Sequence, residues 1–264
     1  MNKIDNLFQN NGKNILSIYF TAGFPKLDDT AIILKQLQES GADMVEVGIP
    51  FSDPMADGVV IQESSHQALQ NGMNLDILFD QLVSIKEEIK IPIILMGYFN
   101  PVFKYGVERF CKKCVLAGVS GLIIPDLPLE VYLNEYAQLF EMHELFYIPL
   151  VTPQTPDIRI VKLGQESKGF VYMVSTASIT GSRPDLENSS DYFKRVRNIL
   201  PKTPLLIGFG IQDAASFHTV AKYANGGIIG TAFINTLKEV AAHNDDISSL
   251  RQKIDLFVKN IRIS

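Results

Sequence analysis

The sequence predicts an α/β protein, a single (β/α)8 TIM barrel over residues 1–264. Short apolar runs recur eight times, a segment with helical spacing follows each run, and no Pro/Ser/Gly-rich linker divides the chain. A length of 264 residues is common for one barrel. An open doubly wound sheet shows the same alternation, and the eight repeats favour closure.

The eight apolar runs are the predicted strands. Most are continuous rather than alternating, which is typical of strands buried on both faces of a parallel sheet. They are ILSIYF (15–20), DMVEVG (43–48), PIILM (92–96), GLIIP (121–125), FYIPLV (146–151), FVYMV (170–174), PLLIG (204–208) and GGIIG (226–230).

The intervening segments have the spacing of amphipathic helices, as in DDTAIILKQLQESGA (28–42) and PLEVYLNEYAQLFEMHE (128–144). Extra helices are expected over Ile4 to Phe8 and in VVIQESSHQALQNG, which ends at Gly72. Two connections are longer than the rest, 49–72 and 175–190. In a barrel both emerge at the C-terminal mouth, where active sites are built.

Composition excludes several functional classes. A net charge of -5 without a Lys/Arg cluster argues against nucleic-acid binding. The N-terminus has no apolar segment of signal-peptide length, and the longest apolar stretch, Ile91 to Phe103, is too short to span a membrane. We therefore expect a soluble, cytoplasmic protein. Cys111 and Cys114 form a CxxC inside a helical pattern, and no second cysteine pair or histidine spacing predicts a metal site.

Glu46 stands among valines near the end of the second predicted strand. If it points inward, it reaches the barrel mouth partly desolvated, which would raise its pKa and let it serve as acid and base. Pairing with a cation on a neighbouring strand is an equal alternative. Asp53 and Asp57 lie in turn-forming contexts, SDP and ADG, and from position alone either carboxylate can be a solvated turn residue.

Glycines after the last three predicted strands indicate a phosphate site. Thr180 and Gly181 follow the sixth strand, Gly210 the seventh, and Gly230 with Thr231 the eighth. Glycine lets backbone N–H groups approach an anion, and a helix beginning near Thr231 would add its positive end. The last two loops are the recurrent phosphate site of this fold.

Aromatic residues near the strand ends could wall a pocket for a flat ring, although such residues are more often core. They are Tyr19, Tyr98, Phe99, Tyr172 and Phe209.

Beyond these patterns, FTAGFP, EVGIPFSDPMADG, LMGYFNP, GLIIPDLP, VSTASITG, GFGI and IIGTA closely resemble, in this order and spacing, the tryptophan synthase alpha subunit family. The resemblance covers essentially the whole chain. It implies a barrel that cleaves indole-3-glycerol phosphate to indole and glyceraldehyde 3-phosphate by a retro-aldol reaction, without metal or organic cofactor.

The resemblance also implies roles for particular residues. Glu46 becomes the acid/base residue and Asp57 the carboxylate that accepts the indole N–H. The family's phosphate-binding positions correspond to Gly181, Gly210, Gly230 and Thr231. Tyr19 and Tyr172 line the indole pocket, and Thr180 belongs to a lid formed by the sixth loop.

The family works with a pyridoxal-phosphate beta subunit that receives indole through a tunnel. The resemblance therefore implies an αββα heterotetramer, with the Pro54 region and the Asp126 loop near the contact, and with PLP only in the partner. Some positions depart from the family pattern. They are Ser178, Ile179 and Ser182 in the sixth loop, Thr231, and Asn225, which stands where an acidic residue is common.

Two other functions compete with the lyase. A sugar-phosphate isomerase or decarboxylase would also use a glycine rim, but such sites usually recruit a lysine at a strand end, and none of the eight runs has one. An indole-sensing subunit without turnover is the non-enzyme alternative. The presence of both Glu46 and Asp57 argues against it.

Overall fold

Nine short parallel strands form one sheet in the computed structural model, which describes residues 1–55, 57–175, 189–242 and 246–263. They are β1 (Ile15–Thr21), β2 (Met44–Gly48), β3 (Ile93–Met96), β4 (Val119–Ile123), β5 (Phe146–Tyr147), β6 (Leu150–Val151), β7 (Val171–Val174), β8 (Leu205–Gly208) and β9 (Gly226–Ile229).

The sheet closes on itself through the segment that holds β5 and β6. Its strand order is β5-β4-β3-β2-β1-β9-β8-β7-β6, so these two short strands are its ends. The amide of Ile148 donates to the carbonyl of Leu122 on β4 (3.0 Å), and the carbonyl of Pro149 accepts from the amide of Tyr172 on β7 (2.9 Å). The predicted eight-stranded barrel is confirmed. Its fifth strand is split because Pro149 has no N–H for the ladder.

Helices surround the barrel. They are α1 (Lys3–Asn10), α2 (Asp29–Glu39), α3 (Val59–Gln70), α4 (Leu75–Ile85), α5 (Phe99–Tyr105), α6 (Val107–Leu116), α7 (Leu129–Val131), α8 (Ala137–Met142), α9 (Asp157–Glu166), α10 (Ser190–Ile199), α11 (Ala214–Ala221), α12 (Thr231–Ala242) and α13 (Ile247–Arg262). The π-helical turn Tyr132–Tyr136 joins α7 to α8. The extra helices expected near the N-terminus and after the second strand are confirmed as α1 and α3.

The apolar residues divide into two cores. One lies between the strands and the helices, and the other fills the barrel with alternate residues of the strands, including Met44, Ile94, Leu206 and Ile228. Fully buried Ile4 of α1 packs against this inner core and closes one end of the barrel.

Besides the split fifth strand, two local features differ from the sequence prediction. Strand β4 begins at Val119, two residues before the predicted start, because a bulge opposite Ile93 and Ile94 lets Val119 join the ladder. The π-helical turn inserts an extra residue into a segment whose spacing predicts an ordinary helix.

The prediction that the two cysteines of the CxxC lie within a helix is confirmed. Cys111 and Cys114 are both buried in α6, and burial raises the pKa of each thiol, so neither has the lowered pKa of a reactive cysteine.

Across the helices of the described ranges, none is both long and apolar enough to cross a membrane.

Candidate active site

Glu46 points into the barrel because residues alternate between the two faces of β2. Its neighbours Val45 and Val47 pack toward the helices, whereas Met44, two residues away, belongs to the inner core. In the ladder Glu46 lies opposite Tyr19 of β1 on one side and Ile94 of β3 on the other. Its side chain is 0% exposed. A carboxyl group in the middle of β2 is thereby withdrawn from solvent.

The surroundings of Glu46 favour its protonated form. The Ser17 hydroxyl donates to Oε1 at 3.0 Å, while Oε2 has no hydrogen-bond partner among the described residues. Burial raises the pKa of Glu46 to about 8, and the Ser17 hydrogen bond opposes that rise. At neutral pH the group is therefore mainly a proton donor, and it remains able to take a proton back.

Asp57 lies two residues before the start of α3 and is partly buried. The Tyr98 hydroxyl donates to its Oδ2 at 3.2 Å, and the Gln62 side-chain amide donates to its carbonyl at 2.9 Å. Burial raises the pKa of Asp57 to about 6, against the lowering effect of the Tyr98 hydrogen bond. Asp57 is thus mostly ionised at neutral pH. Asp53, by contrast, is exposed and accepts from neighbouring Ser52, as a turn residue does.

Two tyrosines lie across glycines of the next strand. A Cβ on Gly48 would lie 2.2 Å from the Tyr19 hydroxyl, and one on Gly208 would lie 2.0 Å from the Tyr172 hydroxyl. Only glycine leaves room for these rings. Burial raises the pKa of both tyrosines, and the charges of Asp57 and Glu46 raise it further. The structure therefore brings Tyr19 and Tyr172 near both carboxylates.

A mostly apolar cleft opens beside Asp57. The rings of Phe51 and Tyr98 pack at a centroid distance of 5.2 Å on its wall, and Tyr19 also lines it. The other lining residues are Ile49, Pro54, Ser65, Met96, Gly97 and Pro125. The lining has the chemistry for a flat ring that bears a single N–H. The cleft has a volume of about 10 Å³, enough for one water, so entry of a ring requires its wall residues to move apart.

The glycine rim lies at the ends of β8 and β9. Phe209 and Gly210 adopt φ angles of 71° and 78°, so the chain turns sharply there. Helix α12 begins at Thr231, and its first turn closes with the amide of Ile234 donating to the carbonyl of Gly230 (2.9 Å). The amides of residues 231–233 precede that bond and can face an anion. Thr180, Gly181, Ser178, Ile179 and Ser182 lie outside the residues that the structure describes.

Two interactions of the site are missed by sequence reasoning. The alternation along β1 puts Ser17 on the same face as Tyr19, but nothing local shows that it meets Glu46. Tyr98 is recognised as an aromatic wall, and its bond to Asp57 depends on how two loops approach each other. Within the described ranges, no group of three or more His, Cys, Asp or Glu side chains is placed to hold a metal ion.

A closed (β/α)8 barrel with an inward-facing acid and a second carboxylate at its rim has the fold and side chains of a TIM-barrel enzyme of the acid–base class. Comparison with known proteins narrows this class. The family model described as tryptophan synthase alpha chain matches residues 5–262. The chain belongs to the tryptophan synthase alpha chain family.

Relatives and solved structures agree with this assignment. The chain is similar to the tryptophan synthase alpha chain of Flavobacterium johnsoniae, with 53% identity over 90% of this chain and 94% of the relative. The Parabacteroides distasonis alpha chain is 50% identical over 96% and 99% of the two chains. The crystal structure of the Legionella pneumophila alpha chain superposes with a TM-score of 0.88 at 34% identity, covering 99% of this chain and 96% of that chain.

The family catalyses the cleavage of indole-3-glycerol phosphate to indole and glyceraldehyde 3-phosphate in tryptophan biosynthesis, and this chain is a lyase of that reaction. Membership decides against the sugar-phosphate isomerase or decarboxylase that the glycine rim alone would permit.

Proposed function

We propose that Glu46 and Asp57 carry the lyase chemistry of this chain. One observation carries the proposal: Glu46 is a fully buried carboxyl group inside a barrel, its pKa is raised to about 8, and its Oε2 has no hydrogen-bond partner in the part of the chain that the structure describes. A group with that pKa can donate and accept a proton within one turnover near neutral pH.

Carbon–carbon cleavage needs two proton transfers. Protonated Glu46 delivers a proton to C3 of the indole ring, which makes the ring an electron sink. The substrate hydroxyl next to the breaking C–C bond must then lose its proton so that an aldehyde forms, and ionised Glu46 accepts this proton. The C–C bond electrons return to the ring, indole leaves, and Glu46 is protonated again for the next cycle.

Asp57 acts through its charge. Its carboxylate accepts a hydrogen bond from the indole N–H and stabilises the positive charge that develops on the ring after C3 is protonated. A pKa of about 6 supports this role because the group stays ionised while Glu46 is protonated. The indole would lie against Tyr19 and Tyr172.

The phosphate would bind at the rim of Gly181, Gly210, Gly230 and Thr231. The start of α12 supports this placement because its first amides are available, whereas at α11 the Asp213 carboxylate already accepts from the amide of Ser216 (2.8 Å). A phosphate near α11 would face that carboxylate, so α12 is the better anion site.

We further propose a beta subunit as partner in an αββα heterotetramer, with PLP held by the partner and no organic cofactor in this chain. Met55, next to Pro54, is 88% exposed, so the side chain is accessible to a partner that binds at the barrel mouth. Asp126 lies near the same mouth, where it accepts from the amide of Phe99 (2.8 Å). Residues 1–264 would act as one domain, in the cytoplasm.

Glu46→Gln tests the catalytic role. It keeps the size of the side chain and the acceptor for Ser17 but removes the titratable proton, so we expect indole release from indole-3-glycerol phosphate to be abolished while fold and partner binding persist. Indole formation is measured with and without a beta subunit. Substantial indole release by this variant would refute the assignment.

A further inference from the structure

A chain of buried hydroxyl groups connects the pocket to α3. The hydroxyls of Thr21 on β1 and Ser64 on α3 lie 2.7 Å apart, and the Tyr19 hydroxyl lies 3.5 Å from that of Thr21. Thr21 and Ser64 are both 0% exposed. Three hydroxyls thus run from a pocket-lining ring to the inner face of a helix.

The direction of the hydrogen bonds follows from counting protons. Ser64 donates its only hydroxyl proton to the carbonyl of Ile61 at 2.8 Å, so it must accept from Thr21. Thr21 has then used its own proton and offers only lone pairs to the Tyr19 hydroxyl, which at 3.5 Å is a long contact rather than a normal hydrogen bond. The Thr21–Ser64 bond therefore depends on both hydroxyls, and removing either one takes this partner from the other.

Asp57 lies in the loop two residues before α3, whose N-cap is Gly58. Gln62 holds the preceding loop to the helix through the carbonyls of Asp57 (2.9 Å) and Pro54 (3.4 Å). The amide of Asp57 also donates to the carbonyl of Pro54 (3.1 Å). A shift of α3 along β1 would consequently move the Asp57 carboxylate by a similar amount.

We propose that Thr21 and Ser64 are positioning residues that hold α3, and with it Asp57, in register with the Tyr19 ring. The buried face of α3 consists of Ile61, Ser64, Ser65 and Ala68. Ser64 supplies a hydroxyl on this face, and its 2.7 Å bond to Thr21 resists sliding of α3 along β1 because a hydrogen bond weakens steeply when its atoms move out of line. The inference rests on the proposed catalytic role of Asp57.

Thr21→Val and Thr21→Ser distinguish the effect of the Thr21 hydroxyl from the effect of its side-chain packing. Valine keeps the shape and removes the hydroxyl, while serine keeps the hydroxyl and loses a methyl group. We expect Thr21→Val to lower kcat for indole release by about tenfold or more, because small misplacements of a reacting group are costly, and Thr21→Ser to stay within about threefold. The affinity for glycerol 3-phosphate should be unchanged in both variants because the rim is separate.

Ser64→Ala provides a second route should Thr21→Val fail to fold. It removes the Ser64 hydroxyl that accepts from Thr21. Both single variants remove the same hydrogen bond, so the kcat of the double variant Thr21→Val/Ser64→Ala should be no lower than that of the slower single variant. Ser120→Ala on β4, another buried serine, is the matched control and should keep the wild-type kcat. Hydrogen exchange at amides 57–62 should rise in Thr21→Val but not in Thr21→Ser.

Equal kcat values for Thr21→Val and Thr21→Ser, or a wild-type kcat in Ser64→Ala, would overturn the proposal. Asp57→Asn, measured alongside, separates this failure from that of the underlying role. If Asp57→Asn keeps its activity, the role of Asp57 fails. If it loses activity while Thr21→Val keeps it, only the positioning by the hydroxyl chain fails.

Discussion

The two carboxylates differ in their surroundings, and the difference separates their roles. Glu46 is enclosed by the barrel and touches one neutral hydroxyl, whereas Asp57 stands at the rim against a tyrosine. The lower pKa of Asp57, about 6 against about 8, follows from its smaller degree of burial. One site can therefore hold a protonated acid and an ionised carboxylate together.

Asp57→Asn removes the negative charge and preserves the size of the side chain. We expect kcat to fall by at least about 10²-fold, the usual scale for losing a key electrostatic stabiliser. Indole release in steady state is the measurement. A near-normal rate would mean that Asp57 is a turn residue, as its ADG context alone also permits.

Tyr98→Phe tests the hydrogen bond that lowers the pKa of Asp57. Without the hydroxyl this pKa should rise above about 6. Activity that requires ionised Asp57 falls as the pH is lowered, and in Tyr98→Phe this fall should begin at a higher pH than in the wild type. The ring contact with Phe51 remains. Tyr105→Phe is the matched control because the Tyr105 hydroxyl donates to Asp76 at the surface. An unshifted acidic limb in Tyr98→Phe would contradict the assignment.

Asn225 shows why an amide suits a position where an acid is common. Its Oδ1 accepts from Arg197 and from the amide of Leu205, both at 2.9 Å, while its Nδ2 donates to the carbonyl of Gly12 at 2.6 Å. A carboxylate could make the first two bonds but has no proton for the third. The amide thus ties the segment before β1 to the start of β9.

At the scale of elements, α1 completes the inner core. A Cβ on Gly121 or Gly169 would lie 3.0 Å or 2.8 Å from Ile4, so two glycines make room for this one side chain. The Asn2 side chain caps α1 by accepting from the amide of Ile4 and donates to the carbonyl of Ser120. Helix α1 is therefore packed in place rather than appended.

Ile4→Ala should destabilise the protein by about 2–5 kcal/mol, the usual cost of an Ile-to-Ala cavity in a core. Urea unfolding measures the loss, and activity should persist under folding conditions because the mouth lies at the other end. Ile158→Ala, at a position 83% exposed, is the control and should change little. Equal stability of the two variants would show that α1 contributes nothing to the core.

At the scale of the whole molecule, the buried acid costs stability. The pKa of Glu46 is about 8 in the folded protein but near the ordinary glutamate value when unfolded. Between these values the folded state holds a proton that the unfolded state releases, so the free energy of unfolding falls as pH rises through this window.

At a pH above the folded pKa of Glu46, the Glu46→Gln variant should therefore have a larger free energy of unfolding than the wild type. At a pH below the unfolded pKa, the two free energies should be closer. We expect the difference in the free energy of unfolding to grow by a few kcal/mol between about pH 5 and about pH 8. Urea midpoints at both pH values give the measurement, with Glu39→Gln at an exposed position as control. The same difference at both pH values would mean that Glu46 is not protonated in the folded state.

Local patterns in the sequence predicted most of the elements. Continuous apolar runs marked every strand, Gly72 marked the end of α3, and Glu46 could be placed on a strand near the mouth. The errors were local as well. The bulge at β4 and the π-helical turn need neighbours to stabilise them, and the split at Pro149 appears only when the sheet closes.

The sequence by itself determined that this chain is a βα-repeat protein with a carboxyl group in its second strand, and its motifs placed it in a family. Only the tertiary structure decided which side chains meet. Glu46 meets Ser17 from another strand, Asp57 meets Tyr98 from another loop, and Thr21 meets Ser64. These contacts depend on strand register and barrel closure, which arise from packing across the whole chain and leave no periodic signal in it.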